Sequence, residues 1–145
     1  MNIKYVAFIL AFFLPCFANA GPYTDDLSKC LVESTTKDDR VALVRWMFAA
    51  ASAHPAVASI ATVSAEDLDK ANAETGALFM RLLTETCEDK ARKALAYEGN
   101  TTIPTSFQIL GQVAGSELFS SPEVTQAMAG LRHHIDEKKL EALRK

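Results

Sequence analysis

Two cysteines, Cys30 and Cys87, stand 57 residues apart in a chain whose beginning reads as an export signal. Together these features narrow the fold more than anything else in the sequence. The chain opens Met1-Asn2-Ile3-Lys4-Tyr5, continues with an apolar run from Val6 to Leu14, and then reads Pro15-Cys16-Phe17-Ala18-Asn19-Ala20. A charged first segment, an apolar centre and an A-x-A site are the three parts of a cleavable signal peptide. The cut is expected between Ala20 and Gly21, leaving residues 21–145 as a single helical domain. A membrane anchor needs about 20 apolar residues, and this run is shorter and ends at Pro15. A lipoprotein cut before Cys16 would follow Phe13-Leu14-Pro15, where the peptidase expects small residues.

Cys16 leaves with the signal, so Cys30 and Cys87 have one intramolecular pairing open to them. Oxidising compartments favour that bond. Closing so long a loop restricts the unfolded chain by about 4 kcal/mol in the chain-entropy account. A redox pair usually stands as C-x-x-C. The wide spacing reads instead as a structural staple.

Helix signals dominate the remainder. Thr24 is the expected cap of a first helix ending near Ser34, with Leu27, Cys30 and Leu31 as its apolar stripe. Thr36 is the expected cap of a second, which runs to about Ala53 and stops at His54-Pro55. Between Val41 and Ala53 only Arg45 and Ser52 are polar, and a helix this apolar is expected to be central and buried. Residues 54–63 read as a linker. Ser64 then caps a helical stretch reaching Gly99-Asn100, with its stripe at Leu68, Ala71, Thr75, Leu78, Leu82, Leu83, Cys87, Ala91 and Ala94.

That stretch would be about 51 Å long as one helix, against a diameter near 35 Å for a domain of this size. A break is therefore expected, at Thr84-Glu85-Thr86 rather than at Gly76. Pro104 suits the first turn of a further helix to Phe119, Ser121-Pro122-Glu123 starts a short one, and Asp136 starts the last. Ile60-Ala61-Thr62-Val63 is the one β-like run. The expected fold class is all-α, a compact bundle of about five to six helices stapled by one disulfide.

Recognisable chemistry is sparse. His133 and His134 are adjacent, so on a helix they point about 100° apart and do not share a metal. There is no G-x-S-x-G, no Walker pattern and no G-x-G-x-x-G. Three acidic pairs, Asp25-Asp26, Asp38-Asp39 and Glu66-Asp67, fall in first turns, where negative charge stabilises a helix. Glu88 and Asp89 stand four residues before Arg92 and Lys93, which reads as a solvated face. No catalytic residue, metal ligand or cofactor is expected. Gly111 and Gly115 form a G-x-x-x-G that reads as close helix packing, and Asn100-Thr101-Thr102 is a glycosylation sequon. The candidate partner-binding residues are Arg40, Arg45 and Trp46 in the segment RVALVRWMF, because Arg and Trp are frequent interface anchors.

The whole chain carries 15 basic and 18 acidic residues, and losing Lys4 takes the net charge from −3 to −4. That balance gives no pull toward nucleic acid. The expected partner is another protein, in the periplasm or outside the cell, with no membrane anchor after cleavage. In architecture the chain resembles the small periplasmic acid-stress chaperones, which are helical, exported and stapled by one long-range disulfide. The resemblance rests on Cys30 and on Cys87 with its following Glu88-Asp89-Lys90, and the mature chain is longer than those chaperones. Three functions are therefore open. The first is an exported binding protein of accessory, inhibitor or immunity type. The second, which the resemblance implies, is an acid-stress chaperone. The third is an enzyme with a scattered active site.

Overall fold

A computed structural model describes residues 20–144, and the expected signal segment up to Asn19 lies outside the described residues. The described chain contains eight α-helices and no strand. The helices are α1 (Pro22–Ser34), α2 (Lys37–Ala51), α3 (Pro55–Ala58), α4 (Ala65–Arg81), α5 (Glu88–Glu98), α6 (Thr102–Phe119), α7 (Pro122–Ala129) and α8 (Glu137–Ala142). A π-helical turn, Leu82–Thr86, lies between α4 and α5, and a 3₁₀ turn, Gly130–His134, between α7 and α8. The expected all-α bundle is what forms. Ile60 to Val63 lie in the α3–α4 connection.

The core is a small set of leucines and alanines. Leu27 and Leu31 of α1, Ala91 and Ala94 of α5, and Leu110 and Ala114 of α6 meet at its centre. Leu43, Leu78 and Leu82 close it from the α2–α4 side. Alanine on α5 and α6 takes up little volume, which favours close approach of their axes to α1. The expected stripe from Thr75 through Ala94 is the buried one, with Leu68, Ala71 and Leu83 half-buried.

Cys30 and Cys87 are bonded, with their Cα atoms 6.0 Å apart. The π turn is what allows this. The Cys87 N–H donates to the Leu82 carbonyl, five residues back, at 2.8 Å. One extra residue in the turn redirects the chain and faces Cys87 toward α1. The break expected at Thr84–Thr86 is thus a widened turn, and Gly76 remains inside α4.

Three expectations are corrected. α1 starts at Pro22 with Gly21 as its cap, so Thr24 is already inside the helix. α2 ends at Ala51, and α6 starts at Thr102 with Pro104 third, inside its first turn as expected. A third position still tolerates proline because its N–H has no intrahelical acceptor. The connection after α2 also holds a short helix, α3, capped by His54, whose Nδ1 accepts from the Ala56 N–H at 3.2 Å.

The third correction matters most. α2 is not central. Of its residues only Leu43 and Ala49 are buried, while Val41 is 48% and Phe48 57% exposed. Much of its apolar count is alanine, at positions 42, 49, 50 and 51. Alanine forms helix well but buries little area, so it suits a surface helix as easily as a central one.

Candidate functional site

Three features of the surface could do chemistry or binding. The first is an apolar groove between the second halves of α2 and α6. Met47, Phe48 and Ala51 form one wall, Gly111, Gly115, Leu118 and Phe119 the other, around about 250 Å³. Phe48 and Phe119 stand at its rim, 57% and 56% exposed. A Cβ at Gly111 would meet only the Met47 Sδ, at 4.0 Å, and one at Gly115 would meet nothing within 4 Å. The expectation that this G-x-x-x-G marks close packing within the chain is therefore corrected. The glycines leave an open trough, because α2 crosses α6 without filling it.

The second feature lies on the other side of α2, between it, α4 and the α3–α4 connection, and encloses about 520 Å³. Arg45 and Lys70 line it with Glu74, above an apolar floor that includes Ala49 and Ala71. Asp67 also lines it but is occupied, accepting from the Ser64 hydroxyl at 2.6 Å.

The candidate residues Arg40, Arg45 and Trp46 are not brought together. Arg40 Nε donates to Glu117 at 2.8 Å, and its Nη1 to the Thr35 carbonyl at 2.6 Å, tying α2 to α6 and to the α1–α2 turn. Trp46 Nε1 donates to Asn72 Oδ1 at 2.8 Å, and its ring packs edge-on against Phe79, which in turn stacks on Phe107. Those two serve the fold. Arg45 is exposed and makes no ion pair among the described residues.

The third feature is a clasp at the start of α1. Glu98, the last residue of α5, reaches across 74 residues of sequence. Its Oε1 accepts from the Tyr23 N–H at 2.9 Å, and its Oε2 accepts from the Thr24 N–H at 2.9 Å and the Thr24 hydroxyl at 2.6 Å. This carboxylate does for α1 what a local cap does elsewhere. Tyr23 and Tyr97 stack beside it with centroids 4.7 Å apart. The Thr24 carbonyl accepts from Ser28 at 2.7 Å and from Ser106 at 3.3 Å, so three helices converge on Thr24. Burial pushes the Glu98 carboxyl upward, but the Thr24 hydroxyl and the two N–H donors outweigh it and hold the group below its ordinary value. Asp39 behaves alike. Burial raises it, and the Thr36 N–H, the Thr36 hydroxyl and the Arg81 guanidinium at 2.9 Å bring it below its ordinary value.

Thr36–Asp39, Ser64, Ser121 and Asp136 cap α2, α4, α7 and α8 from within four residues of sequence. The α1 cap is distant, and only Pro22 at the first helical position signals where that helix starts. Glu88 pairs with Arg92 on the exposed face of α5, as its spacing implies. His133 and His134 are exposed in the 3₁₀ turn, and Asn100 is exposed.

Among the described residues, no three His, Cys, Asp or Glu side chains converge to hold a metal. No described helix is long and apolar enough to cross a membrane. What the geometry defines is a disulfide-stapled helical bundle with an open apolar groove beside its second helix. Compared with protein-family models, curated proteins and solved structures, the chain matches none.

Proposed function

We propose that this is a small exported protein that acts by binding another protein, in the periplasm or outside the cell, as an accessory, inhibitor or immunity-type factor. One observation carries the reading. Phe48 and Phe119 are more than half exposed on either side of a groove floored by Gly111 and Gly115. Contiguous exposed apolar surface on a small protein marks a contact site, and a trough without side chains admits a knob from a partner. Arg45, exposed on the neighbouring turn of α2, adds a charge that a partner carboxylate could meet. The disulfide and the signal-like start support export.

The test is a crosslinked pull-down of the mature protein from the producing cell's envelope and medium, run beside Phe48→Ser and Phe119→Ser. The expected result is one stoichiometric partner that both substitutions release while helicity and melting temperature stay unchanged. A partner retained by both variants overturns the assignment of the groove.

The acid-stress chaperone is the second reading. Asp39 and Glu98 each hold a helix start as ionised groups, so strong acid removes both caps and loosens α1 and α2 over the core. Apolar-dye binding and protection of a client from aggregation at about pH 3 are the expected signs. An unchanged fold without protection at that pH removes this reading.

A further inference from the structure

Glu98 presents an unusual combination. Its carboxylate is half-buried and fully hydrogen-bonded on one side, yet it has no cationic partner among the described residues. It sits against Gly21 so closely that a Cβ there would lie 2.3 Å from the carboxyl carbon. Beside it is a cavity of about 560 Å³ lined by Ala20, Gly21, Thr24, Glu98, Thr102 and Thr105, in which Glu98 is the one charged lining residue. Thr102, 2% exposed, is one of the lining residues, and its buried hydroxyl has no hydrogen-bond partner. A carboxylate without a cation and a buried hydroxyl without a donor both call for a compact group that is positively charged and rich in donors.

We infer that this cavity is the seat of the chain's own processed N-terminus, with the α-ammonium of Gly21 pairing with Glu98 and donating toward Thr102. The inference rests on the export reading, in which a signal peptidase cuts after Ala20. Hydrolysis of the Ala20–Gly21 peptide consumes one water. It leaves a carboxylate on Ala20, which departs, and a primary amine on Gly21, which takes up a proton at neutral pH. The new ammonium hangs from the Cα that Glu98 already covers. Removal of Ala20 clears one wall of the cavity for it. The residue after the cut must be glycine for the carboxylate to lie so close. Cleavage therefore creates the missing partner of a preformed site, and the mature chain locks its own end onto the last residue of α5.

The experiment expresses the full chain in a secreting host, recovers the exported protein and reads its intact mass. The protein is then acylated at pH 7 with a trace of amine reagent, and peptide mapping compares Gly21 with the exposed Lys37. An upward shift of one unit in the amine's affinity for protons cuts its reactive fraction about tenfold. The expected result is a mass beginning at Gly21 and acylation there at least about tenfold slower in the folded than in the denatured protein, with Glu98→Gln abolishing the difference. Should Glu98→Gln fail to fold, the folded-to-denatured ratio of the unaltered protein decides by itself. A mass beginning at Gly21 with equally fast labelling in both states overturns the inference and leaves the export reading standing. A chain that keeps earlier residues, or is cut elsewhere, overturns both.

Discussion

The molecule divides into a stapled half and an open half. In the first, α1, the π turn, α5 and α6 meet at the fully buried Leu27, Leu31, Leu82 and Leu110, the disulfide joins α1 to the start of α5, and the clasp at Glu98 ties the end of α5 back to α1. In the second, residues 122–144 contain no buried side chain, and Met128, Leu131, Leu140 and Leu143 are all at least half exposed. The outer face of α2 and the groove face of α6, ending at Phe119, belong with them. Cross-links of three kinds converge on one place, while apolar surface is left bare in another. On the proposed binding reading, stability and recognition fall to different stretches of chain. Substitutions in the stapled half are expected to cost stability, and substitutions in the open half to cost binding.

Removing the staple is the most severe test of that division. Cys30→Ser with Cys87→Ser is expected to lose about 4 kcal/mol, read as the urea midpoint. Leu82→Ala, at a fully buried position where the π turn meets the core, should lose about 3 kcal/mol by the same measurement. Thr36→Ala removes the hydroxyl half of the α2 capping box and should lose about 1 kcal/mol.

A pH series sharpens the same point. Asp39 and Glu98 have lowered folded-state values, so their contribution is complete above the ordinary carboxylate range and is lost as pH falls through the folded values. The urea midpoint should hold steady from pH 7 to about 5 and drop below about pH 4, with Asp39→Asn reducing the drop. At the small end, Leu140→Ser and Leu131→Ser should change stability by no more than about 0.5 kcal/mol. A loss near that of Leu82→Ala at either position would break the comparison, because it would place the C-terminal arm in the core. Amide exchange should agree, slow in α1, α5 and α6 and fast after Ser121.

Much of the fold was legible in the sequence because its signals are local and periodic. The stripe from Thr75 to Ala94, the cysteine pair, and the caps at Thr36, Ser64, Ser121 and Asp136 all follow from spacing and residue type. The break after Leu82 followed from length, since one unbroken helix would not fit a domain of this size. The open half was less legible. An alanine-rich helix such as α2 reads as buried or exposed with equal ease, and its neighbours decide which. Gly111 and Gly115 fix a flat helix face, but whether another helix lies on it depends on the crossing of α2. The clasp was invisible because Thr24 looks like a cap, and its true role depends on a glutamate 74 residues away.

The π turn has one more consequence. The same residues wound as a regular α-helix through Leu82–Thr86 would leave every side chain before that turn in place. Everything after it would turn by about 100° about the axis. Cys87 would swing away from Cys30, Ala91 and Ala94 would rotate out of the interior, and Glu98 would no longer reach Thr24. The widened turn is the phase mark of the bundle: one inserted residue synchronises a covalent bond, a packed face and a helix cap spread over the seventeen positions from Leu82 to Glu98.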